Sequence, residues 1–286
     1  HATRLLEQHL VDLAQRIVFA IRHHVHDGQF HPGIRGRVRV VTDNQRRVLD
    51  RAIRLYSEVL NGSNAVPAQT RAASLLAHKN DDLKGALRLL DEFAEASPSN
   101  AVEAMSAKAQ LLASVEKYDE ALKLYDKVIS YHPDDERMAL GRSELLLRMG
   151  RLDEALDSYA DAAKRWPKSA MALNAYGYTL ADRTDRYREA EKLIRKALRY
   201  EPTSPAIIDS LGWVLFKLGR YEEALVELER AYEGMQDHEV AAHIIETLVA
   251  LDRRDDAMEW LLKAEEKKPD SPLLKDVRDR LFTDDP

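Results

Sequence analysis

The sequence predicts an all-α chain built as a stack of helix-turn-helix hairpins, and two regularities carry that expectation. Alanine recurs at Ala52, Ala86, Ala121, Ala155, Ala190, Ala224 and Ala257, in steps of 34, 35, 34, 35, 34 and 33 residues. Proline stands twelve residues after most of them, at Pro98, Pro133, Pro167, Pro202 and Pro269. Self-similarity at a fixed period of this length marks helical hairpins that cannot bury their apolar faces alone and must stack. The flanking residues fall into the same register: Gly-Arg-Tyr-Glu-Glu-Ala at 219–224 matches Gly-Arg-Leu-Asp-Glu-Ala at 150–155 and Glu-Lys-Tyr-Asp-Glu-Ala at 116–121.

Taken in order, the chain begins with an amphipathic segment at residues 2–25, whose Leu6, Leu10, Leu13, Ile17 and Ile21 form one helical stripe. Gly28, Pro32, Gly33 and Gly36 follow, and breakers at that density predict a loop over 27–41. Residues 46–60 read as the second helix of a partial repeat, 46–66, with Ala52, Tyr56 and Val59 in place. Six full repeats come next, framed at 67–100, 102–135, 136–169, 170–204, 205–237 and 238–271. In the frame 205–237 the first helix (A) carries Ile208, Leu211, Gly212 and Leu215 and the second (B) carries Ala224, Leu228 and Ala231. Spacings of three and four put each set on one stripe, and Gly212 and Ala224 are small enough for the two helices to approach closely. Gly219 marks the turn between them, and Pro202 stops the preceding B helix because it lacks the next N–H donor. Residues 272–282 read as a capping helix, with Leu273, Leu274, Val277 and Leu281 inward, because a terminal repeat otherwise leaves its apolar face open. The organisation is thus an N-terminal helix and glycine-rich loop (1–45), the array (46–271), and a cap and tail (272–286), read as one elongated body.

Composition narrows the function classes. Hydrophobic residues make up 45% of the chain, enough for a packed interior, while 32% charged residues suits helices that each keep a wet face. A net charge of −6 gives the whole chain no reason to seek phosphate backbones, so nucleic acid is not an expected partner. The chain has no cysteine, which removes disulfides and thiolate chemistry and leaves the redox compartment open. No run reaches the roughly 18 apolar residues of a membrane span. The chain begins with His1, so it is read as a fragment or processed form in which a missing export signal carries no weight.

The period and motif are those of the tetratricopeptide repeat, which implies a right-handed superhelix, an α-solenoid of about six helix-turn-helix repeats with a C-terminal cap. Two stretches are more specific: residues 174–184, from Asn174-Ala175-Tyr176-Gly177-Tyr178 to Thr184, and residues 205–214, from Pro205-Ala206-Ile207-Ile208-Asp209 to Trp213-Val214. They resemble proteobacterial tetratricopeptide lipoproteins of the outer membrane, adaptors that bind and activate a periplasmic carboxyl-terminal processing protease. Residues 238–243 and 68–76 resemble further repeats of the same family, and the resemblance spans roughly 48–271. It implies an exported protein with a lipid anchor on an N-terminal cysteine, which this chain lacks.

By resemblance to the family fold, set positions of the A helices look into the concave face. Here they are Arg137, Glu144 and Arg148, then Asn174, Tyr178 and Asp182, then Asp209, Trp213, Phe216 and Lys217. Aromatic anchors among polar groups make a peptide groove, since Trp and Tyr dominate binding hot spots. The ordinary alternative is that Trp213 and Phe216 pack between repeats. A carboxylate clamp of the heat-shock co-chaperone kind is not expected, because only isolated matches such as Asn174 occur and Asp209 and Glu144 would repel an anionic tail.

His23, His24, His26 and His31 lack the spacing of a metal site, and Arg35, Arg37, Arg39, Arg46 and Arg47 read as a solvated loop. No catalytic motif is present, and pairs such as Glu222 and Glu223 sit on outward faces, so a non-enzyme without metal or cofactor is expected. Three readings follow: a periplasmic adaptor that recruits a protease, a cytoplasmic assembly scaffold, or an enzyme whose active site lies in the N-terminal segment. The expected partner is a protein or peptide, and the stripe at Leu6 to Ile21 is read as a docking helix for a partner or a second copy.

Overall fold

The computed structural model describes residues 35–79 and 81–282. Among them are fourteen α-helices and no strand. In order they are α1 (Arg35–Ser57), α2 (Ala65–Lys79), α3 (Leu83–Ala96), α4 (Ala101–Ser114), α5 (Tyr118–Tyr131), α6 (Glu136–Arg148), α7 (Leu152–Arg165), α8 (Ala170–Arg183), α9 (Tyr187–Tyr200), α10 (Pro205–Lys217), α11 (Tyr221–Gly234), α12 (His238–Ala250), α13 (Arg254–Lys267) and α14 (Pro272–Phe282). From α2 onward the even members up to α12 are A helices and the odd ones B helices. Chain contacts divide the molecule into two compact units, His1–Gly141 and Arg142–Pro286, the boundary falling inside α6.

Local sequence explains where the helices stop. The prolines Pro98, Pro133, Pro167, Pro202 and Pro269 each stand two residues beyond the last residue of a B helix, where a ring without an N–H cannot continue the helical ladder. Between A and B helices the chain reverses through a left-handed residue: Asp81 (φ 54°), Glu116 (61°), Gly150 (73°), Gly219 (74°) and Asp252 (60°). Only Gly150 and Gly219 meet that geometry without steric cost. The α8–α9 connection is different: Thr184 is extended, and its hydroxyl donates to the Leu180 carbonyl (2.6 Å) and accepts from the Arg186 amide (3.1 Å). Each B helix from α5 to α13 opens on a basic residue paired with an acid three positions on, as in Arg151–Glu154 and Arg253–Asp256 (both 2.6 Å). These pairs are solvent-exposed, so they add little beyond complementing the helix start.

In the first unit the core is assembled from alanines. Ala52, Tyr56 and Val59 meet Ala68, Ala72 and Leu75; Ala73, Ala77, Ala86 and Leu90 meet Ala107 and Leu111. The fully buried Gln69 ties the end of α1 to α2, its Nε2 donating to the carbonyls of Ser57 and Val59 at 3.0 Å each. One expectation is corrected here. Residues 35–41, read from the sequence as loop, are helical, and α1 runs unbroken from Arg35 to Ser57. Gly36 lies in the first turn, where its cost of about 1 kcal/mol is small, and no proline follows it before Pro67. The arginines read as loop residues are therefore helical, with Arg46 and Arg47 exposed. The stripe from Leu6 to Ile21, His23, His24, His26 and His31, and the loop at 27–34 lie outside the described residues.

In the second unit the stripes expected for 205–237 are buried as sets: Ile208, Leu211 and Leu215 on α10, and Ala224, Leu228 and Ala231 on α11. A Cβ added at Gly212 would lie 2.5 Å from Leu228 Cγ, and one at Gly177 would lie 2.7 Å from Ile194 Cγ1. Both glycines thus permit a contact that any side chain would push apart. The last apolar cluster runs from Ile208 through α11, α12 and α13 to Leu274 and Val277 of α14. That final helix closes the unit as a cap, and it is further held by Arg280 on Glu246 (2.6 Å) and the Arg254 guanidinium on the Leu281 carbonyl (2.8 Å).

Candidate partner-binding face

The candidate residues gather on the A helices of the second unit. Asp209, Trp213 and Lys217 recur every fourth residue on α10 and so share one face of it. Next to them, α12 presents Glu239 and His243 with the same spacing, and α8 presents Asn174, Tyr178 and Asp182. The His243 ring nitrogen Nδ1 lies 2.9 Å from Asp209 Oδ1, and both residues are only 7% exposed. Trp213 stacks on the His243 imidazole with ring centres 4.2 Å apart and planes within 19°, and on Phe216 at 5.1 Å and 6°. The Lys217 ammonium sits 4.3 Å from the Trp213 ring centre, a cation–π contact. Phe216 in turn packs against Tyr221, ring centres 5.4 Å apart and planes tilted by 52°. The Tyr178 hydroxyl reaches across to α12 and donates to Glu239 Oε1 at 3.1 Å.

Electrostatics shift the titration of two groups on this face. Burial pushes the Tyr178 phenol well above the ordinary tyrosine range, and the carboxylates of Glu239, Asp182 and Asp209 push it further. Tyr178 is therefore a permanent donor. For His243, burial pulls the pKa down, but the hydrogen bond to Asp209 and the fields of Asp209, Glu239 and Glu246 outweigh it, and the net shift is upward. Among the described residues of this unit, two buried side-chain atoms have no hydrogen-bond partner, Asn174 Oδ1 and Trp213 Nε1.

The other predicted residues have partners of their own. Arg137 belongs to the first unit, where it pairs with Glu103 (3.1 Å) and Asp135 (3.3 Å). Glu144 accepts a hydrogen bond from Tyr159 at 3.3 Å, and Arg148 is exposed at the end of α6. Asp182 pairs with its neighbour Arg183 at 2.7 Å. Trp213, at 6% exposure, forms the interior of the face, while Phe216 and Lys217 are half-buried at its surface. His243 and Glu239 are not among the partner-facing residues expected from the sequence. The signal for His243 was available, because it stands 34 residues after Asp209, one repeat period, as Arg137 does after Glu103 and Arg280 after Glu246. Equal positions in successive A helices are neighbours in a stack.

Models of the tetratricopeptide repeat match residues 106–170 and 144–205, and again 183–242 and 215–281. The chain belongs to the tetratricopeptide repeat family. Among curated relatives of this repeat protein, a TPR repeat-containing protein of Pseudomonas aeruginosa is 35% identical over 194 residues, covering 68% of this chain and 33% of the relative. The chain therefore spans about a third of that relative's length. Solved structures share the fold: a thermophilic TPR protein of Thermus thermophilus superposes with a TM-score of 0.55 at 22% identity, covering 63% of this chain and 96% of that one. PilW, a type IV pilus biogenesis factor, superposes with a TM-score of 0.56 at 17% identity, covering 76% and 99%. Tetratricopeptide arrays are protein-interaction scaffolds, and family members are in general non-catalytic. Among the described residues no helix is long and apolar enough to cross a membrane.

Proposed function

We propose that the second unit recognises a protein partner through the face built on Tyr178, Asp209, Trp213, Phe216 and Lys217. We further infer that the full-length protein is a periplasmic adaptor, associated with the outer membrane, that recruits and activates a carboxyl-terminal processing protease. One observation supports this most. The two stretches that resemble such adaptors, residues 174–184 and 205–214, lie on α8 and α10, the helices that carry the candidate face. The elements that are most specific in sequence are thus the ones with aromatic and charged groups at the positions expected to meet a partner. Stacked rings suit an extended segment of polypeptide, because aromatic side chains are enriched at hot spots, and the half-buried lysine adds a hydrogen-bond donor beside them. Bringing protease and substrate to one surface raises their effective concentration, and oriented docking shifts the enzyme toward its active form.

The test is to mix the purified chain with a carboxyl-terminal processing protease and follow complex formation by size exclusion and peptide cleavage by fluorescence. A complex with faster cleavage is expected, with both effects reduced in Phe216→Ala/Lys217→Ala. Fractionating cells that express the full-length gene should place the protein with outer membranes. Absence of a complex, together with recovery from the cytoplasm, would favour a cytoplasmic assembly scaffold.

A further inference from the structure

The buried pair Asp209–His243 is not needed to hold either helix on its own B-helix partner. It joins two successive A helices, α10 and α12, at equal positions of adjacent repeats, 34 residues apart. Nonpolar side chains at those positions would give packing without the penalty of burying polar groups. Here an imidazole and a carboxylate are both taken out of water and set beneath the one indole of the face.

We propose that Asp209 and His243 form a protonation-dependent latch that sets how tightly α10 and α12 are joined beneath Trp213. In the closed state the imidazolium donates Nδ1–H to the Asp209 carboxylate and presents a charged ring to the indole, a buried ion pair capped by a cation–π contact. Loss of the Nε2 proton leaves a neutral ring that can still donate Nδ1–H to Asp209, but the buried carboxylate loses its counter-charge, and that loss loosens the pair.

The surrounding groups set the direction of the switch. On α12, Glu239 and Glu246 both favour the imidazolium, and Arg280 of α14 neutralises Glu246. On α8, Asp182 is paired with Arg183, and Tyr178 hydrogen-bonds Glu239. On α10, Lys217 faces Trp213 and opposes a second cation on that ring. The helices α11 and α13 meet α12 through the apolar cluster that includes Leu225, Leu228, Ala257 and Leu261, and α11 adds Tyr221, tilted against Phe216. With carboxylates in the majority, the protonated state is favoured, and its opening lies on the alkaline side of an ordinary histidine titration. Weaker partner binding at high pH follows only if the face binds as proposed above; the latch itself is read without a partner.

Trp213 reports the latch, because an imidazolium stacked on an indole quenches its fluorescence. The emission of the full chain, followed across pH and corrected with Trp213→Phe, should rise with a single midpoint above 6.5, the ordinary histidine value. His243→Gln should abolish the step. Asp209→Asn, which keeps the size of the side chain but removes the counter-charge, should move the midpoint down, and circular dichroism would show that this variant is folded. A midpoint at or below 6.5 overturns the proposal, as does an unchanged midpoint in Asp209→Asn. Because no partner is present, either result is separate from failure of the binding face. A wild-type step with partner affinity constant across it would leave the latch standing and sink its regulatory role.

Discussion

The two units are made of the same repeat and yet spend their A helices differently. In the first, α2 and α4 are dominated by alanine, with Ala68, Ala72, Ala73, Ala104, Ala107 and Ala109 all buried, and His78 is the one aromatic ring on either helix. In the second, α8, α10 and α12 carry Tyr176, Tyr178, Trp213, Phe216 and His243, with Trp213 stacked on Phe216 and His243 and Tyr178 hydrogen-bonded to Glu239. Small side chains let backbones approach and leave little to recognise. Rings and buried charges cost desolvation, and they offer shape and hydrogen bonds in return. The repeat period fixes the fold in both units, and in the proposed function the A-helix side chains decide where a partner is recognised.

That contrast can be broken at four points, beginning with the largest effect. Trp213→Ala removes a side chain that is 6% exposed and stacked on two rings. It should cost about 3–5 kcal/mol, read as a lower denaturation midpoint, and a change below about 1 kcal/mol would mean that the indole is not part of the interior. Gly212→Leu drives a side chain into Leu228, whose Cγ already lies 2.5 Å from the position of an added Cβ. A loss of about 1–3 kcal/mol in thermal melts is expected, and an unchanged midpoint would overturn the helix register.

The third prediction concerns pH. His243 has a folded pKa raised above 6.5. The stability it contributes is therefore fully present below 6.5 and is lost as pH rises through the folded value. Urea titrations of the wild type and Asp209→Asn at a series of pH values should converge toward the alkaline end, and a constant difference would contradict the linkage. The smallest effect belongs to the first unit. Gly85→Ala displaces the Asp82 carboxylate, which caps α3 by accepting from the Gly85 amide at 2.8 Å. Losing a cap costs about 1 kcal/mol, and replacing glycine by alanine within a helix returns about as much, so melts should show almost no change. A large loss there would show that the first unit depends on side-chain geometry as much as the second.

Much of this was legible in the sequence because a period is a geometric statement. Pro202 and Gly219 marked a helix end and a turn, and Gly212 with Ala224 marked a close approach, since only small residues permit one. The Thr184 connection was not legible, because its hydroxyl replaces the left-handed residue found at the other A–B turns, and nothing local in Arg183-Thr184-Asp185 announces it. The start of α1 was misread because Gly36 was counted with Gly28, Pro32 and Gly33, although a glycine in a first turn does not end a helix. Within the candidate face the aromatic members were visible one at a time. Their joining by His243 required applying the period to Asp209, a step from pattern to spatial adjacency.

The central claim is that recognition resides in the second unit, and the affinity of a carboxyl-terminal processing protease for the full chain tests it most directly. The wild type would be titrated beside a second-unit variant, Phe216→Ala/Lys217→Ala, and a first-unit variant, Lys108→Ala/Lys117→Ala, which removes the pairs to Asp91 and Glu120. The account predicts that the second-unit variant weakens binding by about tenfold or more, as loss of hot-spot side chains does, while the first-unit variant binds as the wild type. Weakened binding in the first-unit variant alone, with the second-unit variant intact, would contradict it.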